Sequence, residues 1–476
     1  MKLDRLKMFL VAGAMLVLMG TANIFAQADA LVDMLQKKGL LTQREANEVK
    51  EQMFTDIRDQ MPGTKIRVGG WLDELKLSGD VRLRYDSFFN QRQLVASGTS
   101  AGTPNGGSQV GFDSRARYRY RLRFGAEAKA GEFTAGLRLA SGDSTGPGSD
   151  PVSTNTTFDN AAGKKNVNID QAYLAWEPSW GSIANAKFIG GKIENPFWET
   201  ALVFDPDLTP EGFAETFKYK PADSLQLFVN LGQFVVEENA PTAVAVATPN
   251  STGTDIYLIA EQLGVNWDIT PKVMALKTAA GLYQYTDMPN AATSATTAGN
   301  PGWNALNSLS GAPAGAVAVQ GPRASDYNIV TVNSEYRLTL GKFLEAHPLI
   351  LFGEIADNVT APQYNMAWEA GVRLGELKKK GDWTAYYGYE WLEANAVYDE
   401  WTDSDFGYGG TNKKGHLVKL GYNVTDYISV NLSYWNQTYI NESVPGFVNP
   451  TAGAAAPGAG PASSTQRFQA DVVMKF

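Results

Sequence analysis

From Leu75 onward the chain repeats an apolar–polar alternation with a period of two. In LKLSGDVRLRY, Leu75, Leu77, Val81, Leu83 and Tyr85 share one face, and Lys76, Asp80, Arg82 and Arg84 share the other. RARYRYRLRF, Arg115–Phe124, places five arginines on every second position, with Ala, Tyr, Tyr, Leu and finally Phe between and after them. A strand sends such residues to two opposite faces, whereas a helix would scatter the arginines around its circumference. GEFTAGLRLA, SLQLFVNLG, NIVTVNSEYRL, MAWEAGVRL, DWTAYYGYEW, YISVNLSYW and RFQADVVMKF behave in the same way. Sixteen such segments run from about 75–89 to about 465–476. The phase blurs near Ala184–Ile193, Ile256–Trp267 and Val273–Tyr285, which points to bulges or buried contacts there.

The connections alternate between short (AKAG, EPSWGS, KPAD, DITPK, GKFLEAH, ELKKKG, Val424–Asp426) and long, Ser/Gly/Thr-rich ones. Seven short turns interleaved with eight long loops are what sixteen antiparallel strands require. The pattern predicts an all-β transmembrane protein, an antiparallel up-and-down β-barrel of about 16 strands, with turns at one rim and loops at the other. The competing fold is a soluble sandwich with arginines to water. Energetics orient the barrel: an arginine at the bilayer midplane costs roughly 2–4 kcal/mol, so the five of Arg115–Arg123 must face inward. The inside is then expected to be a wet channel and not a packed core.

The amino end fixes the compartment. MKLDRLK is basic, MFLVAGAMLVLMG is apolar, and TANIFAQADA follows, which is the layout of a signal peptide over 1–26, with cleavage after residue 30 as the alternative. Its apolar core is shorter than the roughly 20 residues of a spanning helix. Residues 27–65 read as a short helical periplasmic segment, with Leu31, Met34 and Leu35 on one face and Thr42–Glu45 as a capping box. The barrel then occupies 70–476. The absence of cysteine excludes disulfides, thiolate metal sites and a lipoprotein anchor, and the formal charge of −9 argues against nucleic acid as a partner. No cofactor is implied.

Candidate chemistry concentrates in two places. Arg82, Arg84, Arg115, Arg117, Arg119, Arg121, Arg123 and Arg138 form a basic ladder on the first three strands. Guanidiniums do not shed charge, so they need water or counter-charges; individual arginines, Arg115 and Arg123 first, can instead pair with acids and stiffen the wall. The second place is 193–213, IENPFWETALVFDPDLTPEGF, whose apolar residues would be an association hazard if exposed. Folded inward as a constriction loop, it would pack its aromatics on the wall and present Glu194, Glu199, Asp205, Asp207 and Glu211 to the lumen, facing the ladder across a narrow waist. Asp205, Asp207 and Glu211 also offer hard-cation ligands of the kind calcium takes, without a glycine-centred ligand loop. The two histidines, His347 and His416, lie beside no serine motif, which argues against a hydrolase.

Three stretches carry a family resemblance. The closing strand ends on Phe476, as in bacterial outer-membrane proteins, where the terminal residue serves recognition by the insertion machinery. ALVDMLQKKGLLTQREANEVKEQM and GGKIENPFWETALVFDPDLTPEG resemble the family known as putative porins, and the likeness extends over most of the mature chain. It implies a passive diffusion channel of the bacterial outer membrane for small hydrophilic solutes. It also implies contacts with outer-membrane lipids and lipopolysaccharide, and a homotrimer. The ladder adds an expected preference for anions. A channel specific for phosphate or carboxylates, and a surface adhesin or structural barrel, are the alternatives.

Overall fold

The computed structural model describes residues 64–66, 72–94, 110–143, 151–158, 162–179, 184–238, 255–286, 327–339, 341–406, 409–440 and 465–476. The chain divides into two compact units, Met1–Thr64 and Lys65–Phe476, and the description concerns the second. The expected signal peptide and helical segment lie outside the described residues.

Sixteen long strands close into one antiparallel barrel. In chain order they are β1 (Glu74–Leu94), β2 (Val110–Ala130), β3 (Phe133–Gly142), β4 (Asn166–Trp176), β5 (Ala184–Lys192), β6 (Glu211–Ala222), β7 (Leu225–Glu237), β8 (Ile256–Thr270), β9 (Met274–Tyr285), β10 (Tyr327–Leu338), β11 (Leu349–Asn358), β12 (Met366–Leu374), β13 (Trp383–Leu392), β14 (Lys413–Asn423), β15 (Ile428–Tyr439) and β16 (Thr465–Lys475). Each pairs with its chain neighbour, and β16 pairs with β1. A two-residue strand, Thr156–Thr157, adds to β2. One turn contains the helix α1 (Gly341–Ala346). The length alternation is not strict: only residues 359–365 join β11 to β12, fewer than the 339–348 of the α1 turn.

The seam shows how the last residue is used. Phe476 and Gly79 exchange backbone hydrogen bonds at 2.8 and 3.0 Å. A Cβ on residue 79 would come within 2.6 Å of the Phe476 ring, so glycine is what lets the ring lie flat over β1. Register then continues the apolar exterior across the seam, with Val472 beside Leu83 and Met474 beside Val81, all exposed.

The exterior is the lipid-type surface that the alternation predicts. Leu83, Tyr118, Leu122, Leu137, Leu174, Leu263, Ile355, Leu420 and Val472 all point outward and are exposed. The interior differs from the wet channel expected. Alongside the arginine wall it holds a hydrophobic core joining residues from β6–β13 to two loops, including Leu202, Val203, Phe204, Tyr283, Ile329, Ala367, Val397 and Trp401. Side chains from strands so far apart can meet only inside the barrel. This explains the blurred phase: Ile256, Leu258 and Ala260 of β8 and Tyr283 and Tyr285 of β9 face inward and are apolar because they carry the loops. The β8–β9 pairing is interrupted only between Trp267 and Thr270 and the β7–β8 pairing only between Ile256 and Tyr257, so irregularities sit at the two ends of β8 and buried contacts erase the alternation between them.

Candidate functional site

The first inward loop is Ile193–Pro210; Glu211–Phe213, expected as its end, already belong to β6. Its aromatics pack on the far wall, Phe204 lying 5.1 Å from the Tyr283 ring and Phe197 5.3 Å from the same ring. Backbone bonds fix it: the Trp198 N–H donates to Gln262 Oε1 at 3.0 Å and the Thr200 N–H to Glu354 Oε2 at 2.6 Å. Lys277 Nζ sits 3.9 Å above the Trp198 ring.

The second inward loop, Glu393–Asn412, is absent from the sequence expectations above. It buries Val397, Tyr398, Trp401 and Phe406 and is pinned to the first, with Asp205 N–H donating to Trp401 O at 2.7 Å and Ser404 N–H to Asp205 Oδ2 at 3.0 Å. Its composition, EANAVYDEWTDSDFGYGGTN, carries the same mixture of aromatics and acids that singled out the first loop. That signal was there to be read.

The five carboxylates expected on the first loop go to different places. Asp207 reaches the ladder directly, 3.2 Å from both Arg121 and Arg123, so loop and ladder touch where a gap was expected. Glu194 borders the remaining cavity. Asp205 is buried, and its carboxylate is occupied by the N–H groups of Asp207 and Ser404. Glu199 turns away from the lumen into the opposite wall, accepting from Tyr283, from Thr331 at 2.9 Å and from Gln262 at 3.0 Å. Glu211 lies on the exterior of β6, 3.1 Å from Lys192. Asp205, Asp207 and Glu211 therefore do not converge, and no cluster of metal-ligating side chains occurs among the described residues.

Ladder residues alternate to the inside of β1–β3 and are largely neutralised. Arg84 binds Asp471 at 2.8 Å and Asp405 at 3.2 Å; Arg117 binds Asp86 at 2.9 Å; Arg138 binds Asp170 at 2.5 Å. Arg121 and Arg123 share Asp80 at 2.9 and 2.6 Å, and Arg119 lies 3.6 Å from Asp143. Pairing is therefore not confined to the ends of the ladder. Arg115 is exposed and has no carboxylate within ion-pair distance among the described residues. A seventh paired guanidinium, which the ladder omitted, is Arg467 on β16, which binds Asp86 at 2.8 Å and Asp405 at 3.0 Å.

Arg82 stands apart. It lies directly opposite Arg121 in the β1–β2 register, donates to Asn155 Oδ1 at 2.6 Å, and has no carboxylate within ion-pair distance among the described residues. It borders a cavity of about 410 Å³ between the ladder and the two loops. The cations bordering it are Arg82, Arg121, Arg123, Arg138 and Lys419; the carboxylates are Glu194, Asp205, Asp207, Asp403 and Asp405. Burial, and then Asp403 and Asp207 nearby, push the Asp205 carboxyl well above its ordinary range; burial, and then Asp405, push that of Asp403 up as well. Asp405 is the opposite case: burial works to raise it, but Arg84, Arg467 and Arg82 together hold it well below. Five cations and five carboxylates thus share the lining, and two of the carboxylates are pushed toward their neutral form.

A family model described as "Putative porin" matches residues 38–306 and 325–476. The chain belongs to that family. The barrel is accordingly a porin of the outer membrane. A comparison with functionally curated proteins finds no match. Among solved structures the porin is similar to OprB of Pseudomonas putida at high pH (11% identity, 84% of this chain and 94% of that one, TM-score 0.45). It is also similar to the outer membrane channel DcaP of Acinetobacter baumannii (10%, 87% and 100%, 0.39) and to OmpF of Salmonella typhi in complex with daunomycin (10%, 87% and 100%, 0.42). At these identities and scores the likeness adds nothing to what the strand pairings already establish.

Proposed function

We propose that this porin admits small hydrophilic solutes by passive diffusion, with a preference for anions, along the space between the arginine wall of β1–β3 and the two inward loops. The observation that carries the reading is Arg82, a guanidinium on the cavity that bonds Asn155 and has no carboxylate within ion-pair distance among the described residues. A guanidinium keeps its charge and presents a planar fork of donors, so a passing carboxylate or phosphate group can fill that role transiently. The upward push on the Asp205 and Asp403 carboxyls works toward the same sign of solute. Rings of fixed charge at a constriction are how pores select ions.

Reversal potentials across a planar bilayer in a salt gradient test this. The wild type should show an anion-to-cation permeability ratio above one. Arg82→Ala should lower it severalfold, while Arg119→Ala, whose charge is already offset by Asp143, should change it less. Cation preference in the wild type, or a ratio indifferent to Arg82, would remove the proposal.

A further inference from the structure

Besides the arginines and the two inward loops, a third piece of chain borders the cavity. β3 stays paired with β2 only as far as Ala140 opposite Arg123, which leaves the loop-side part of β2 open on that edge. Pro151–Phe158, PVSTNTTF, takes the place. Its β-branched Thr156 and Thr157 pair with Tyr120 and Arg119, and the Phe158 N–H donates to Tyr118 O at 2.9 Å. At its other end Val152 sinks into the apolar core, and the Val152 carbonyl accepts from Ser404 Oγ of the second loop at 3.4 Å. Asn155, 5% exposed, is fixed between these two anchors.

Asn155 joins two guanidiniums. Its Oδ1 accepts from Arg82 Nη2 at 2.6 Å and its backbone carbonyl from Arg119 Nη2 at 3.2 Å, while its Nδ2 donates to Ser153 Oγ at 3.3 Å. Arg82 and Asn155 both border the cavity. The side chain stands where the other inward arginines of the ladder have an acid. Arg84, Arg117, Arg119, Arg121, Arg123 and Arg138 each have an aspartate within ion-pair distance. Arg82 has an asparagine. Asparagine keeps aspartate's shape with an amide in place of one carboxylate oxygen, so it holds the guanidinium by the same kind of bond and leaves its charge intact.

We infer that Asn155 is the specificity-determining residue of the cavity: it fixes the Arg82 guanidinium without neutralising it, and so leaves a charge that a passing anion can meet. With an aspartate at that position Arg82 would become one more internal ion pair, and a solute anion would compete with a counter-charge already in place. The inference rests on the anion reading of the cavity and names the group that decides it. The same logic has a converse. Arg138 also borders the cavity, and its carboxylate partner is Asp170 at 2.5 Å. Asp170→Asn recreates at Arg138 the arrangement that Asn155 makes at Arg82.

Reversal potentials of the full-length channel in a salt gradient, with urea unfolding of the same proteins alongside, provide the test. Asn155→Asp should lower the anion-to-cation ratio severalfold, to the level of Arg82→Ala. Its unfolding midpoint should stay at or above that of the wild type, because an uncompensated charge inside the wall has gained a partner. A residue that only seats the loop would not lose selectivity while keeping stability. Asn155→Ala, which releases the guanidinium without supplying a charge, should keep most of the ratio, and Asp170→Asn should raise it. Three results would overturn the inference while the wild type still prefers anions and responds to Arg82→Ala. They are an Asn155→Asp channel as anion-selective as the wild type or destabilised as it loses selectivity, an Asn155→Ala channel that loses as much as Asn155→Asp, and an Asp170→Asn channel whose ratio does not rise. Cation preference in the wild type, or indifference to Arg82→Ala, would overturn the reading beneath it and the inference with it.

Discussion

Arg467→Ala would remove a buried charge from the barrel seam, near its loop end. The guanidinium is 2% exposed and makes its Nε and Nη2 bonds to the two oxygens of Asp86 at 2.8 and 3.0 Å. It also donates to the carbonyls of Ser404 and Asp405 at 3.0 Å each and lies 4.5 Å over the Phe88 ring. One side chain thereby joins the last strand, the first strand and the second inward loop. Removing one member of a buried ion pair costs about 3–5 kcal/mol, because the remaining charge stays buried. Asp86 keeps Arg117 at 2.9 Å, which places the expected loss at the lower end, about 3 kcal/mol. The comparison is Arg337→Ala, whose partner Glu376 sits in the turn after β12. That pair is partly exposed at 32% and 21% and should contribute about 1 kcal/mol or less. Urea unfolding of the detergent-solubilised barrel, followed by heat-modifiable migration, measures both. With a slope near 3 kcal/mol per molar, the midpoint should fall by about 1 M for Arg467→Ala and by no more than about 0.3 M for Arg337→Ala. If the two variants shift alike, the seam is not held from inside and the reasoning is wrong.

Two further outcomes follow from the loops. Burial pushes the Glu199 carboxyl up, so the folded state holds a proton that the unfolded chain releases above about pH 4.3. The associated stability is fully present below that value and falls as pH rises through the raised folded value. The unfolding midpoint should therefore decline between pH 5 and pH 9, and Glu199→Gln should flatten the decline without abolishing it, since Asp205 and Asp403 are raised too. Asp207→Asn removes the loop's only direct ion pairs to Arg121 and Arg123 among the described residues, while both arginines keep Asp80. It should cost about 1–2 kcal/mol of loop seating, visible as increased open-channel noise, and raise the anion-to-cation ratio by freeing positive charge; a quieter or more cation-selective channel would refute it.

The barrel was legible because its determinant is local. Period-two alternation in β1–β3 and β12–β16 fixes which side chains face out, and the bilayer penalizes any register slip that would turn Arg119 or Arg121 into lipid. The ladder's neutralisation was less legible, although its acids were visible. Asp80, Asp86 and Asp471 share the arginine face in the sequence, but Asp471 reaches Arg84 only because the first and last strands meet, with 387 positions between them in the chain. Partners that topology brings together cannot be paired from spacing alone. Glu199 was misdirected for a related reason. A carboxylate in an inward loop was expected to seek the arginines, yet Tyr283, Thr331 and Gln262 offered it hydrogen bonds on the wall that the loop's aromatics already pack against.

The second loop clarifies what the alternation could not carry. Lipid-facing logic says only that inward residues can be polar; it does not say they must be. Where inward positions of β8 and β9 are Ile256, Leu258, Ala260, Tyr283 and Tyr285, something apolar has to cover them, since a water-filled lumen would leave them wet. Two loops in the sequence carry enough aromatic surface to do so, Ile193–Pro210 and Glu393–Asn412, and the structure uses both. Asp207 and Asp405 then fall on the edge that faces the arginine wall, because the apolar side of each loop is already committed to the opposite strands. The asymmetry of the lumen, greasy against β8–β12 and charged against β1–β4, thus follows from where the inward apolar residues sit. The ion preference and the position of the constriction are consequences of that packing as much as of the arginines themselves.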